Sequence, residues 1–168
     1  MDHTQYTVRH GVVVAPSHCM PETWAEHDAR VAELLLLVPL TETEQRYRQC
    51  FPTHDLGQSK EAKEWCYFFL SDGHGSCGLC CKGGDAYLNR FCAWPQGKRH
   101  GGAFMDKLKL CLADFERLWL FTDRGCDNRV VSFYADRCGF TMADCNNLAP
   151  PQWIEEMWGD DTLFVLGL

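Results

Sequence analysis

The chain has 168 residues, 46% of them apolar and 12% aromatic, about one domain's length with enough apolar side chain for a core, which excludes disorder along the whole chain. Sixteen Lys and Arg against 23 Asp and Glu give a net charge of −7, so no general attraction for phosphate backbones exists and no nucleic-acid partner is expected. Eleven cysteines make an odd count in a chain too large for a stapled mini-protein, and the opening Met1-Asp2-His3-Thr4 leads into no basic-then-apolar segment; the expectation is a soluble cytoplasmic protein whose thiols are mostly small buried apolar groups.

Residues 6–15 (YTVRHGVVVA) are rich in β-branched side chains and run up to Pro16, which predicts an opening strand. Pro21 suits the first position of a helix, and Trp24, Val31, Leu35 and Val38 recur at helical spacing until Pro39. The apolar run 34–40 is broken by that proline and falls far short of the roughly 20 residues of a spanning helix, so no membrane contact is expected. Thr41-x-x-Glu44 is a capping-box pattern that predicts a second short helix through about Cys50. The polar stretch 53–63 reads as a loop.

Strands are predicted at 65–70, 76–81 and 86–94, joined by the Gly-bearing turns 71–75 and 82–85, as an antiparallel meander. Phe104, Leu108, Cys111, Leu112 and Phe115 then mark one face of an amphipathic helix over 102–115. A short buried strand at 118–121, a helix bearing Val130, Val131, Tyr134 and Cys138 that ends at Gly139, and a last strand at 162–168 complete the order. Pattern and order together predict a single α/β domain of the α+β type.

The unit that carries chemistry is strand 86–94, turn 96–102 and helix 102–115. A Gly-rich turn feeding a helix start aims several backbone N–H groups and the positive helix end at one spot, a site suited to phosphate. Lys98, Arg99 and His100 place the densest positive charge of this acidic chain at the same spot.

Residues 96–105 (QGKRHGGAFM) and 127–140 (DNRVVSFYADRCGF) resemble the GCN5-related N-acetyltransferase (GNAT) superfamily. That family places an (Arg or Gln)-x-x-Gly-x-(Gly or Ala) loop at a helix start and a Tyr-x-x-x-Gly-Phe-like motif on a later helix. The resemblance covers 65–140, and the first 60 residues match as strand, helix, helix on the acceptor side. The loop fits in two registers, with Gln96 first and Arg99 in the place of the first glycine, or with Lys98 first and Gly101 and Ala103 in the pattern.

The resemblance implies a GNAT-like domain with a mixed, mostly antiparallel central sheet flanked by helices. It also implies acetyl-CoA as acyl donor and direct attack by a primary amine of a small molecule or protein, in a monomer or homodimer. Lys98, Arg99, His100, Gly101, Gly102 and Ala103 would hold the pyrophosphate, the strand backbone at Phe91, Cys92 and Ala93 the pantetheine arm, and Asn128 would be a further contact. Tyr134 would protonate the departing thiolate, for which a phenol with a reference pKa of about 10 is suited; its alternative is a buried aromatic on the sheet side of the helix. The substituted loop glycine keeps open a second function, a GNAT-fold binding or assembly protein that has lost catalysis.

No general base is marked: Glu64, Asp72, His74 and Asp85 fall in turns or at a strand start. His74-x-x-Cys77-x-x-Cys80-Cys81 has zinc-like spacing, but on a strand Cys77 and Cys80 point to opposite faces, so no metal is expected. Cys126 and Cys138 lie near Arg124 and Arg137, yet no His at a recognisable spacing supports a nucleophile. Trp153, Ile154, Met157 and Trp158 follow Pro150-Pro151 at helical spacing and read as core packing.

Overall fold

A computed structural model describes residues 6–17, 20–37, 56–122, 127–143, 149–157 and 162–168. The elements are β1 (Thr7–Arg9), β2 (Val12–Ser17), α1 (Trp24–Leu37), α2 (Leu56–Ser59), β3 (Cys66–Ser71), β4 (Gly75–Lys82) and β5 (Asp85–Ala93). There follow α3 (His100–Cys111), β6 (Arg117–Thr122), α4 (Asn128–Ser132) running into a π-helical turn (Phe133–Arg137), β7 (Thr141–Met142), α5 (Gln152–Glu155) and β8 (Thr162–Gly167). The strands form one sheet in the order β1-β2-β3-β4-β5-β6-β8-β7. Every neighbouring pair is antiparallel except β5 and β6, so the sheet is mixed and mostly antiparallel, as expected.

Side-chain alternation sorts the core onto the two faces. On one face Val12, Phe68, Leu70, Leu79 and Leu118 pack under Phe104, Met105 and Leu108 of α3, Tyr134 of the π turn and Leu56 of α2. On the other face Val13, Phe69, Tyr87, Trp119 and Val165 pack under Val31 and Leu34 of α1 and Ile154 of α5. Gly75 lets α3 lie against the sheet, since a Cβ there would collide with the Phe104 ring. Among the described residues no helix is long and apolar enough to cross a membrane.

The single opening strand is corrected to a hairpin: His10 and Gly11 take left-handed φ values of 52° and 77°, and the chain folds back so that Thr7 pairs with Val14. Two successive positive φ values are what a tight two-residue hairpin demands, and His-Gly supplies the second at no steric cost. The start of α1 is also corrected, from Pro21 to Trp24. The Thr23 hydroxyl accepts from Glu26 N–H at 3.1 Å and the Glu26 carboxylate from Glu22 N–H at 2.9 Å, a side-chain cap with a second bond to the residue before it that fixes the helix start. Its inward face is His27, Val31 and Leu34, whereas Trp24 is 48% exposed. Within the polar stretch 53–63, α2 is a single turn anchored by buried Leu56. The helix expected over 41–50 lies outside the described residues, as do Trp158, Arg124 and Cys126.

Candidate active site

β5 and β6 pair only over residues 85–87 and 117–119. Beyond Tyr87 the remainder of β5, including Phe91, Cys92 and Ala93, has no strand partner on the β6 side among the described residues, and its backbone borders a gap through the sheet. A bulge sits at the same place: Ser76 pairs with Cys92 and Gly78 with Asn89, so β5 carries one extra residue, and Arg90 takes a left-handed φ of 53°. An extra residue shifts the alternation. Ahead of the bulge Leu88 faces α3; past it Phe91 does, stacked 5.6 Å from Phe104, while Arg90 lies on the α1 face against Trp24.

On the α3 side the gap opens into a cleft of about 530 Å³ lined by Phe91, Cys92, Ala93, the loop residues Gln96, Gly97, Arg99, His100, Gly101 and Gly102, and Arg129, Val130, Phe133 and Tyr134. The first bond of α3 runs from Ala103 N–H to the Arg99 carbonyl at 3.2 Å, no side chain caps the helix, and the N–H groups ahead of Ala103 are left to the cleft end. At Gly101 a Cβ would sit 3.4 Å from Phe133 Cζ and 3.7 Å from Ala93 Cβ, ordinary contacts that the cleft floor accommodates. Gly102 serves packing instead: a Cβ would meet Arg137 Nε at 2.7 Å, and Arg137 holds Asp106 in a two-pronged pair at 2.8 and 3.2 Å. The His100 ring stacks on His74 with centroids 4.0 Å apart.

Arg99 takes a left-handed φ of 61°, the backbone region that glycine occupies freely and other residues occupy at a cost. Glycine's conformational signature therefore falls at 99 and not at 101, which favours the register with Gln96 first. Lys98 and Ala103 are exposed and outside the lining. Asn128 also lies outside it, on the exposed first turn of α4, and Arg129 stands at the cleft in its place.

Tyr134 is 9% exposed and sits in the π turn, where Cys138 N–H bonds to the Phe133 carbonyl five residues back at 3.0 Å. The widened turn aims the ring at the sheet gap, among Phe91, Phe133, Phe140 and Phe164. Gly139 ends the helix with a φ of 84°, the glycine cap expected from sequence.

On the α1 side a second cleft of about 470 Å³ is lined by Trp24, Tyr87, Asn89, Arg90, Phe121 and Thr122 among others. Phe91, Val130 and Tyr134 line both clefts, so the two meet at Tyr134. Sequence reasoning missed this second wall, because the bulge that builds it is a backbone event with no residue signature. No carboxylate among the described residues lines either cleft. Asp72 binds the N–H groups of His74 and Gly75 and the Lys107 ammonium, Asp85 accepts from the Trp119 indole at 2.8 Å, and Glu64 is exposed.

The seven described cysteines are free thiols. Cys77 lies in the core under α3 and Cys80 in the core under α1, on opposite faces of β4 as the alternation requires. Burial pushes the Cys80 thiol up to about 12 and Cys138 to about 11, so neither is a ready thiolate. Among the described residues no three metal-ligating side chains cluster.

No protein-family profile matches the chain, and no curated protein matches it. Among solved structures it is similar to an acetyltransferase from Streptococcus agalactiae (16% identity, TM-score 0.48, covering 95% of this chain and 100% of that one). It is also similar to the ribosomal-protein-S18-alanine N-acetyltransferase of Escherichia coli (15%, 0.47, 93% of each chain). A third is the N-acetylglutamate synthase of Neisseria gonorrhoeae complexed with coenzyme A and L-arginine (14%, 0.49, 94% of this chain and 33% of that one). The architecture described above is the one expected from the sequence: a mixed, mostly antiparallel sheet flanked by helices, with strand, loop, helix, strand and helix succeeding one another from β5 to α4.

Proposed function

We propose that the chain is an acetyl-CoA-dependent N-acyltransferase of the GNAT type, acting in the cytoplasm on a primary amine. The observation that carries this reading is the pair of clefts that meet at Tyr134 through the splayed strands β5 and β6. A thioester donor enters from the α3 side and an amine from the α1 side, and the two touch only where the sheet is open.

The residues fit the donor in two ways. The uncapped start of α3, with Arg99, His100 and Arg129 around it, offers N–H groups and positive charge to a pyrophosphate. The backbone of 91–93, whose β6 side has no strand partner among the described residues, can bond an extended pantetheine arm as a strand would. The amine nitrogen forms the new bond to the acyl carbon as the carbon–sulfur bond breaks, the Tyr134 hydroxyl donates its proton to the departing sulfur, and the amine's surplus proton leaves to water. Holding both reactants at one opening supplies much of the acceleration.

A second reading, a GNAT-fold binding protein without catalysis, is favoured by Arg99 standing at the left-handed position and by clefts in which no described residue is a carboxylate. Calorimetry with acetyl-CoA separates the two: binding in the micromolar range supports the transferase, and no binding at millimolar cofactor supports the other.

A further inference from the structure

The bulge in β5 places Arg90 on the α1 face, where its guanidinium carbon lies 5.3 Å from the centre of the Trp24 ring. Its one hydrogen bond among the described residues is long, from an Nη to the Pro21 carbonyl at 3.4 Å. Its Nε is buried with no partner among the described residues. A buried donor without an acceptor is a costly arrangement that native structures keep for a reason, and among the described residues no carboxylate lines the cleft beside it. Arg90 is also the one charged side chain among the described residues lining this cleft, in a protein whose net charge is −7. Aromatic rings make up much of the rest of the wall, Trp24, Phe91, and Tyr87 with its ring 4.6 Å from that of Phe121, beside the polar Asn89 and Thr122 and the aliphatic Leu88, Leu120 and Val130.

We infer that the acceptor is a small amine bearing a carboxylate and an apolar or aromatic side chain, an aromatic α-amino acid being the fitting class, and that Arg90 grips the carboxylate. The planar fork matches a carboxylate through two N–H groups at once, and the Trp24 ring fixes the plane of the fork. An acceptor held this way lays its side chain on the aromatic wall and turns its nitrogen toward the opening at Tyr134. A polyamine or a lysine-rich peptide would bring further positive charge to a wall whose described residues hold a cation and no anion, so such acceptors are disfavoured. The inference rests on the transferase reading only for which group reacts; the recognition of the carboxylate is a property of the α1-side cleft and can be measured without the donor.

The test is calorimetric titration with a product-like pair, N-acetyl-L-phenylalanine and its C-terminal amide, which differ in the carboxylate alone. The expected result is about tenfold tighter binding of the acid, with the preference gone in Arg90→Gln and acetyl-CoA affinity unaltered by that substitution. Equal binding of acid and amide by the unmodified protein, or no binding of the acid at millimolar concentration, overturns the inference whether or not any variant folds. A loss of acetyl-CoA affinity in Arg90→Gln also overturns it, because the fork then belongs to the donor. A preference for the acid in a protein that does not bind acetyl-CoA upholds this inference while removing the transferase reading, and acetyl-CoA binding without the preference does the reverse.

Discussion

Arg99 stands at the start of α3 with φ 61° and ψ 18° and no side-chain cap bond. A side chain in that conformation costs about 1–2 kcal/mol relative to the right-handed region. Replacing it with Gly removes this cost but adds roughly 0.4–1 kcal/mol of unfolded-chain entropy, and replacing it with Ala keeps the strained backbone. Both substitutions remove the same guanidinium, so the comparison isolates the backbone. Arg99→Gly is expected to exceed Arg99→Ala by about 1 kcal/mol, or roughly 2–4 °C in Tm for a chain of this size. Scanning calorimetry of the two variants reads the difference directly. In acetyl-CoA titrations both lose an exposed charge, worth at most about 1 kcal/mol, and Gly recovers part of it through closer phosphate approach. An Ala variant as stable as the Gly variant would refute the left-handed conformation, and with it the register that places Gln96 first.

Three further outcomes follow from the same geometry. Tyr134→Phe keeps the ring among its aromatic neighbours and removes only the hydroxyl, so kcat should fall about 10²-fold or more with Tm and acetyl-CoA affinity little changed; full turnover would reduce Tyr134 to a packing residue. Gly101→Ala should add roughly 0.5–1 kcal/mol of stability through helix propensity, because the methyl finds room beside Phe133 and Ala93, and should leave acetyl-CoA affinity within about twofold, well under 1 kcal/mol; a large loss would mark 101 as the essential glycine. His27 is fully buried, and burial, with help from Arg90 and against Asp28, holds its imidazole below the usual range. The unfolded chain therefore takes up the proton first, and stability present at neutral pH is lost as pH falls from the unfolded value of about 6.5 toward the folded one. Tm measured from pH 7 to pH 5 should drop less steeply in His27→Phe than in the unmodified protein, and parallel profiles would show that His27 stays uncharged in neither or in both states.

The meander, the amphipathic α3 and the glycine-ended helix after β6 were legible because each rests on a local periodicity or a turn residue: 65–70 is realised as Cys66–Ser71, 86–94 as Asp85–Ala93, and Gly139 does adopt a positive φ. The opposite facing of Cys77 and Cys80 followed from strand alternation alone. The hairpin at His10-Gly11 was missed because β-branched residues continue on both sides of the turn. What stayed invisible is non-local. The parting of β5 from β6, the bulge that turns Arg90 toward Trp24, and the π turn that aims Tyr134 are matters of register between segments far apart in the chain. Gly102, read from sequence as part of a phosphate loop, owes its place to Arg137, a side chain 35 positions later.

The central claim is that the donor lies in the α3-side cleft, with its diphosphate at the start of α3 and its thiol end at Tyr134. A crystal structure of the protein grown with coenzyme A tests this most directly. The account predicts density for the pantetheine arm along 91–93 in the place of a missing strand, the diphosphate within hydrogen-bond distance of the N–H groups at 100–102, and the sulfur beside the Tyr134 hydroxyl. Coenzyme A bound elsewhere on the molecule, or an empty cleft at saturating ligand, would contradict it.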